Sequence, residues 1–181
     1  ARHRLQLQRL DSPWGEARAG LTLSAASPFA LSGQLSAKGE LEQVPVKARL
    51  DLSGDLLKPA FSGEMDGKGV SVDIAGALRP FDANPFNRLV RLDARVGNIN
   101  PQAILPDWPK ARLSFAVFAE PDAGQRVKGG LTLVNTEPGA LSAQRLPLSL
   151  LAGEFRADEQ ALELFNSHAE LGGGKLGLVG E

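Results

Sequence analysis

The sequence predicts an all-β fold, and three observations predict it. Apolar residues alternate with small or polar ones in about a dozen short runs from end to end, the period-2 signature of strands with one dry face and one wet face. The 20 glycines and 12 prolines fall mostly between those runs, where glycine supplies positive φ and proline removes a ladder donor. No amphipathic stripe of three or more helical turns interrupts the series.

The runs follow one another in order. "LQL" at 5–7 offers Leu5 and Leu7 to the dry side, and the turn-forming "DSPWGE" follows it. "LTLSA" at 21–25 adds Leu21 and Leu23, and "LSGQLSAKG" at 31–39 adds Leu31 and Leu35. "VPVKARLDLSG" at 44–54 contributes Val46, Leu50 and Leu52 before the breaker "SGDLLKP". "FSGEMDG" at 61–67 and "VSVDIAG" at 70–76, joined through "DGKG", bring Phe61, Met65, Val70, Val72 and Ile74. In "RLDARV" at 91–96 the alternation is strict, with Arg91, Asp93 and Arg95 on one side and Leu92, Ala94 and Val96 on the other.

After the loop "NINPQAILPDWP", "ARLSFAVF" at 111–118 presents Leu113, Phe115 and Val117. "GLTLVN" at 130–135 presents Leu131 and Leu133, and "NTEPGA" ends it. "LSLLAGEF" at 148–155 is assigned Leu148 and Leu150, "LELF" at 162–165 Leu162 and Leu164, and "KLGLVG" at 175–180 Leu176 and Leu178. Residues 154–168 tolerate a helix, with Phe155, Leu162 and Phe165 on one face. Strand–turn–strand is preferred, because Leu162 and Leu164 alternate and "ADEQ" reads as a turn. Glycines inside runs, such as Gly33, Gly63 and Gly177, are expected to mark either bulges or a sheet coiling on itself.

Composition bounds the function. A net charge of -1 gives no electrostatic footprint for nucleic acid or an anionic membrane surface. With 43% hydrophobic and 23% charged residues the chain is a folded protein rather than a disordered one. No apolar run approaches the roughly 20 residues of a membrane-spanning helix. The abrupt ends read as those of a segment excised from a longer protein, a single β segment over 1–181. Its cut strand edges are expected to pair with a second copy.

No enzyme is expected. Cysteine is absent, and His3 and His168 lie far apart without a partner motif, so a transition-metal site has no donor set. There is no G-x-S-x-G elbow. "DGKGVS" lacks phosphate-loop spacing, and "GGGKLG" places Leu176 where Ser or Thr is required. Carboxylates such as Asp51, Glu64, Asp73 and Asp93 occupy wet positions, whereas a catalytic acid needs burial. Trp14 and Trp108 sit in proline-containing loops and read as caps over the ends of an apolar interior, ahead of the alternative that they anchor a partner. No cofactor is implied.

What remains is the dry face itself. Its residues are almost purely aliphatic, without the few placed polar groups that usually orient a small ligand. Such a wall suits either the inside of a closed β-sandwich or a guest recognised only by its hydrocarbon, and the pattern alone does not separate the two.

Two stretches carry a resemblance. Residues 76–115, with the "G-x-L-x-P-F" element and the "N-P-x-x-x-L-P-x-W-P" linker, resemble the periplasmic repeats of the TamB family. So do residues 129–181, with "N-x-x-P-G-x-L-x-x-x-R-L-P" followed by paired strands; the first 75 residues match only in style. TamB is an inner-membrane-anchored partner of the outer-membrane protein TamA in Gram-negative bacteria and belongs with AsmA-like bridge-like lipid transfer proteins.

The resemblance implies a β-taco, a long antiparallel sheet folded into an open hydrophobic trough. It implies phospholipid as the guest, with the residues assigned to the dry side from Leu21 to Leu178 lining the groove. It implies TamA as a partner through regions outside this segment. Acyl chains would lie in the trough at roughly 0.8 kcal/mol per buried methylene, nearly uniformly along its length. The alternative is a scaffold or chaperone that receives outer-membrane β-strands, including those of autotransporters, in the same groove or at its edges.

Overall fold

Alternation at period 2 makes each run a strand, and the short turns between runs leave each strand one convenient partner, its neighbour in the chain. The computed structural model describes residues 1–13, 15–41, 44–67, 69–103 and 105–180, and it has that architecture. The strands are β1 (Arg2–Ser12), β2 (Gly15–Ser24), β3 (Leu31–Leu41), β4 (Val44–Gly54), β5 (Pro59–Gly67) and β6 (Val70–Leu78). They continue as β7 (Leu89–Ile99), β8 (Leu113–Asp122), β9 (Arg126–Asn135), β10 (Leu148–Ala157), β11 (Leu162–Leu171) and β12 (Gly174–Gly180). All twelve form one antiparallel sheet in chain order, and the sheet is not closed: β1 and β12 do not pair. Three single 3-10 turns are the only helical pieces among the described residues.

The turns follow from their side chains. Asp55 Oδ1 accepts from the amides of Leu57 and Lys58 at 2.9 and 2.8 Å, which closes the β4–β5 turn. Asp158 Oδ1 accepts from Gln160 and Ala161 at 2.8 and 3.0 Å and turns β10 into β11, where a helix had been the competing reading. Between β11 and β12 the loop is Gly172–Gly173, with φ of 56° and 85°. A two-residue turn with positive φ at both positions matches the twist of the strands it joins and is open to glycine without strain.

The chain divides into two units, 1–92 and 93–181, with the boundary inside β7. In the first unit the register lines up dry residues across the strands. Leu5, Leu21, Gly33, Leu52, Phe61 and Gly76 make one row, and Leu7, Ala19, Leu35, Leu50, Gly63 and Ile74 the next. Ala37, Ala48, Met65 and Val72 follow, then Gly39, Val46, Gly67 and Val70. The rows between are polar: Arg18, Ser36, Arg49, Glu64 and Asp73 lie on the opposite face.

In the second unit Phe115, Leu133, Leu151, Ala169 and Leu176 form a dry row, beside Val117, Leu131 and Gly153. The wet face carries Glu120, Lys128, Arg156 and Glu163, tied by ion pairs such as Arg156–Asp122 at 3.0 Å.

Gly33 and Gly63 lie in unbroken register, so they are neither bulges nor kinks. They sit under neighbouring side chains: a Cβ at Gly63 would meet Leu50 Cδ1 at 3.1 Å and Ile74 Cγ2 at 3.3 Å. Phenylalanine does this most fully. Phe61 lies opposite Gly76, Phe155 opposite Gly129 and Phe118 opposite Gly130. Each ring comes within 2.5–2.6 Å of where the glycine's Cβ would stand. Lying across a bare glycine lets a large ring pack flat on the sheet.

Candidate functional site: an uncovered apolar face

A closed domain of this size buries large side chains completely. Among the described residues none does; the buried apolar residues are Ala111, Ala119 and Ala169. The accessible surface is 12141 Å². A compact globule of 19.2 kDa exposes about 8,400 Å², and two separate globules of half that mass about 10,200 Å². The chain exposes more than either figure, as a single sheet that does not close must. The closed sandwich, the alternative reading of the pattern, is therefore not the fold.

Most of the residues assigned to the groove share this face. In the first unit Leu21, Leu23, Leu31, Leu35, Val46, Leu50, Leu52, Phe61, Met65, Val70, Val72 and Ile74 all fall on dry rows. A depression of about 210 Å³ is lined there by Leu35, Leu50, Met65, Val72 and Ile74. On β7, Leu92 and Val96 are half-buried while Arg91 and Arg95 are exposed.

In the second unit Leu113, Phe115, Val117, Leu131, Leu133, Leu162, Leu164, Leu176 and Leu178 take dry positions. A larger depression of about 480 Å³ opens among them, lined by Val117, Leu131, Leu151, Phe155, Leu164 and Leu178, with Ser167 and Glu154 as its polar members.

Leu150 is a correction. It stands opposite Val134 on β9 and Glu170 on β11, on the wet face, and Leu151 takes the dry place opposite Leu133. A register shift between Leu148 and Leu150 is the cause: it leaves Leu148 opposite Leu171, two positions from Ala169 on the dry side. Trp108, in the loop ahead of β8, is 56% exposed. Trp14 lies outside the described residues.

One residue missed from the sequence organises the end of this face. Asn135 is 3% exposed at the end of β9, in the dry row with Leu113. Its Oδ1 accepts from the amides of Arg112 and Glu137, both at 3.1 Å. Its Nδ2 donates to the carbonyls of Leu146 and Leu148 at 3.1 and 2.9 Å. Four backbone groups from three segments converge on one amide, so the β9–β10 loop is clasped to the segment that leads into β8. A polar residue at dry parity, just before "TEPG", was the available signal.

The wet face of the second unit also has a depression, about 400 Å³, but of opposite chemistry. Asp93, Arg95, Thr132, Glu154, Asn166 and His168 surround a floor of Ala116, Gly130 and Ala152. Among the described residues no cluster of His, Cys, Asp and Glu could hold a metal ion. No helix there is long and apolar enough to cross a membrane.

Comparison with known proteins adds no identification: no family model, curated protein or solved structure matches the chain.

Proposed function

We propose that the chain is a groove-forming segment of a bridge that carries phospholipid acyl chains between the inner and outer membranes of a Gram-negative cell. The observation that carries this reading is an aliphatic face on a sheet that does not close, with no fully buried large side chain among the described residues. Leaving that much hydrocarbon in water costs about 25 cal/mol per Å², so the face calls for an apolar guest. The sequence resemblance to TamB supports the same reading and supplies the periplasmic location and TamA as partner.

The chemistry of the floor favours hydrocarbon over polypeptide. The interior strands β8 to β11 use their backbone groups in ladders on both sides, and the rows facing the groove carry almost no polar atoms. An extended peptide laid there would leave its own N–H and C=O groups without partners, at about 1–3 kcal/mol each. An alkyl chain has no such groups, and its headgroup can stay in water at the open side.

A photo-crosslinking side chain at Leu133, with the protein in its native cellular context, is expected to capture phospholipid. The same group at Arg91, on the wet side, is expected to capture little. Equal labelling at the two positions overturns the proposal, and capture of polypeptide at Leu133 replaces it with the scaffold reading.

A further inference from the structure

The dry face is not equally deep along its length. Between β2 and β6 the register runs without a shift, and the depression there holds about 210 Å³. Between β10 and β12 the register shifts at Leu148/Leu150, Ala152/Glu154 and Leu164/Ser167, and the depression there holds about 480 Å³. Bulges bend a strand and increase its local twist, which curls this part of the sheet. Gly153 removes a side chain from the floor, so a Cβ there would run into Ser167. Val117, Leu131, Leu151, Phe155, Leu164 and Leu178 become walls.

We infer that the second unit holds a discrete seat for a single alkyl chain, a resting place rather than part of a uniform slide. This rests on the lipid reading above and sharpens it. The lining recognises chain and not headgroup: of its two polar members, Ser167 already donates its hydroxyl to the Phe165 carbonyl at 3.0 Å, and the Glu154 carboxylate accepts from Asn166 at 3.2 Å. An alkyl chain gains more contact in this depression than in the shallower one of the first unit, and leaves it more slowly.

The test uses the unmodified chain and a polyene fatty acid whose fluorescence rises in apolar surroundings. It is displaced by saturated fatty acids of about eight to about eighteen carbons. Each added methylene is expected to tighten binding about fourfold until the seat is filled, after which affinity levels off. An affinity that keeps rising with length overturns the seat while leaving the groove reading intact. No binding of any member overturns both.

Two variants locate the seat. Val117→Phe, which fills the cavity, is expected to weaken displacement at least tenfold, and Leu50→Phe in the first unit less than twofold. Equal losses overturn the assignment to the second unit.

Discussion

Replacing Asn135 by alanine tests whether one amide holds the loop side of the second unit together. The change frees the amides of Arg112 and Glu137 and the carbonyls of Leu146 and Leu148 at once. At about 1 kcal/mol net for each bond the loss is roughly 4 kcal/mol, and any freed group that water does not reach adds about 1–3 kcal/mol more. Against the roughly 5–15 kcal/mol that stabilise a typical domain, that is a large fraction. Urea denaturation followed by far-ultraviolet circular dichroism reads it directly.

Asn135→Asp refines the test. The carboxylate keeps both accepting bonds but loses the two donors and sets negative charge against two carbonyl oxygens. It is expected to be at least as damaging as alanine at pH 7 and to recover partly below about pH 4, where a protonated carboxyl regains one donor. A loss below about 1 kcal/mol for Asn135→Ala, or full tolerance of Asn135→Asp at pH 7, would refute the clasp.

Three further outcomes are expected. Leu151→Arg places a charge on the dry face and is expected to lower fatty-acid binding at least tenfold, while Leu150→Arg, one residue away on the wet face, changes it less than twofold; the same displacement assay reads both. Gly129→Val drives a side chain into the Phe155 ring and is expected to destabilise by about 1–3 kcal/mol, whereas Gly177→Ala, with open space around it, shifts thermal unfolding only slightly. Acid is expected to weaken the fold. The Ala123 amide, with Arg156 and Lys128, holds the Asp122 carboxyl below its ordinary pKa, and the Gln160 and Ala161 amides do the same for Asp158. A folded-state pKa below the unfolded one gives stability that is present above about pH 4 and is lost as pH falls through the folded value, so the urea midpoint at pH 3 should lie below that at pH 6.

Side-chain alternation made the strands legible, since which residues face together depends on parity alone. It made their ends less so. β1 runs from Arg2 to Ser12 although only its middle alternates with leucine, because β2 supplies ladder partners whatever the side chains are. Parity also failed at "LSLL", where adjacent Leu150 and Leu151 cannot share a face. Which one is dry depends on a shift against β11, a relation between distant residues that the run itself does not contain. The packing role of the glycines was hidden for a similar reason, since what lies over Gly76 or Gly129 is a phenylalanine on another strand. That the sheet is open was not legible in the alternation, since a dry row looks the same whether a second layer or a guest covers it; only the resemblance carried by residues 76–115 and 129–181 pointed to an open trough, and the sheet is indeed not closed.

The strand order has a consequence for how such a chain is made and lengthened. Every strand bonds to those just before and after it, so no pairing waits for a distant segment to arrive, and the search cost that slows non-local β topologies is small. The sheet can grow vectorially, like a zipper, as each hairpin is delivered. Adding or removing a pair of strands keeps the direction of all the others, so evolution can adjust the span in two-strand steps without redesigning what flanks the splice.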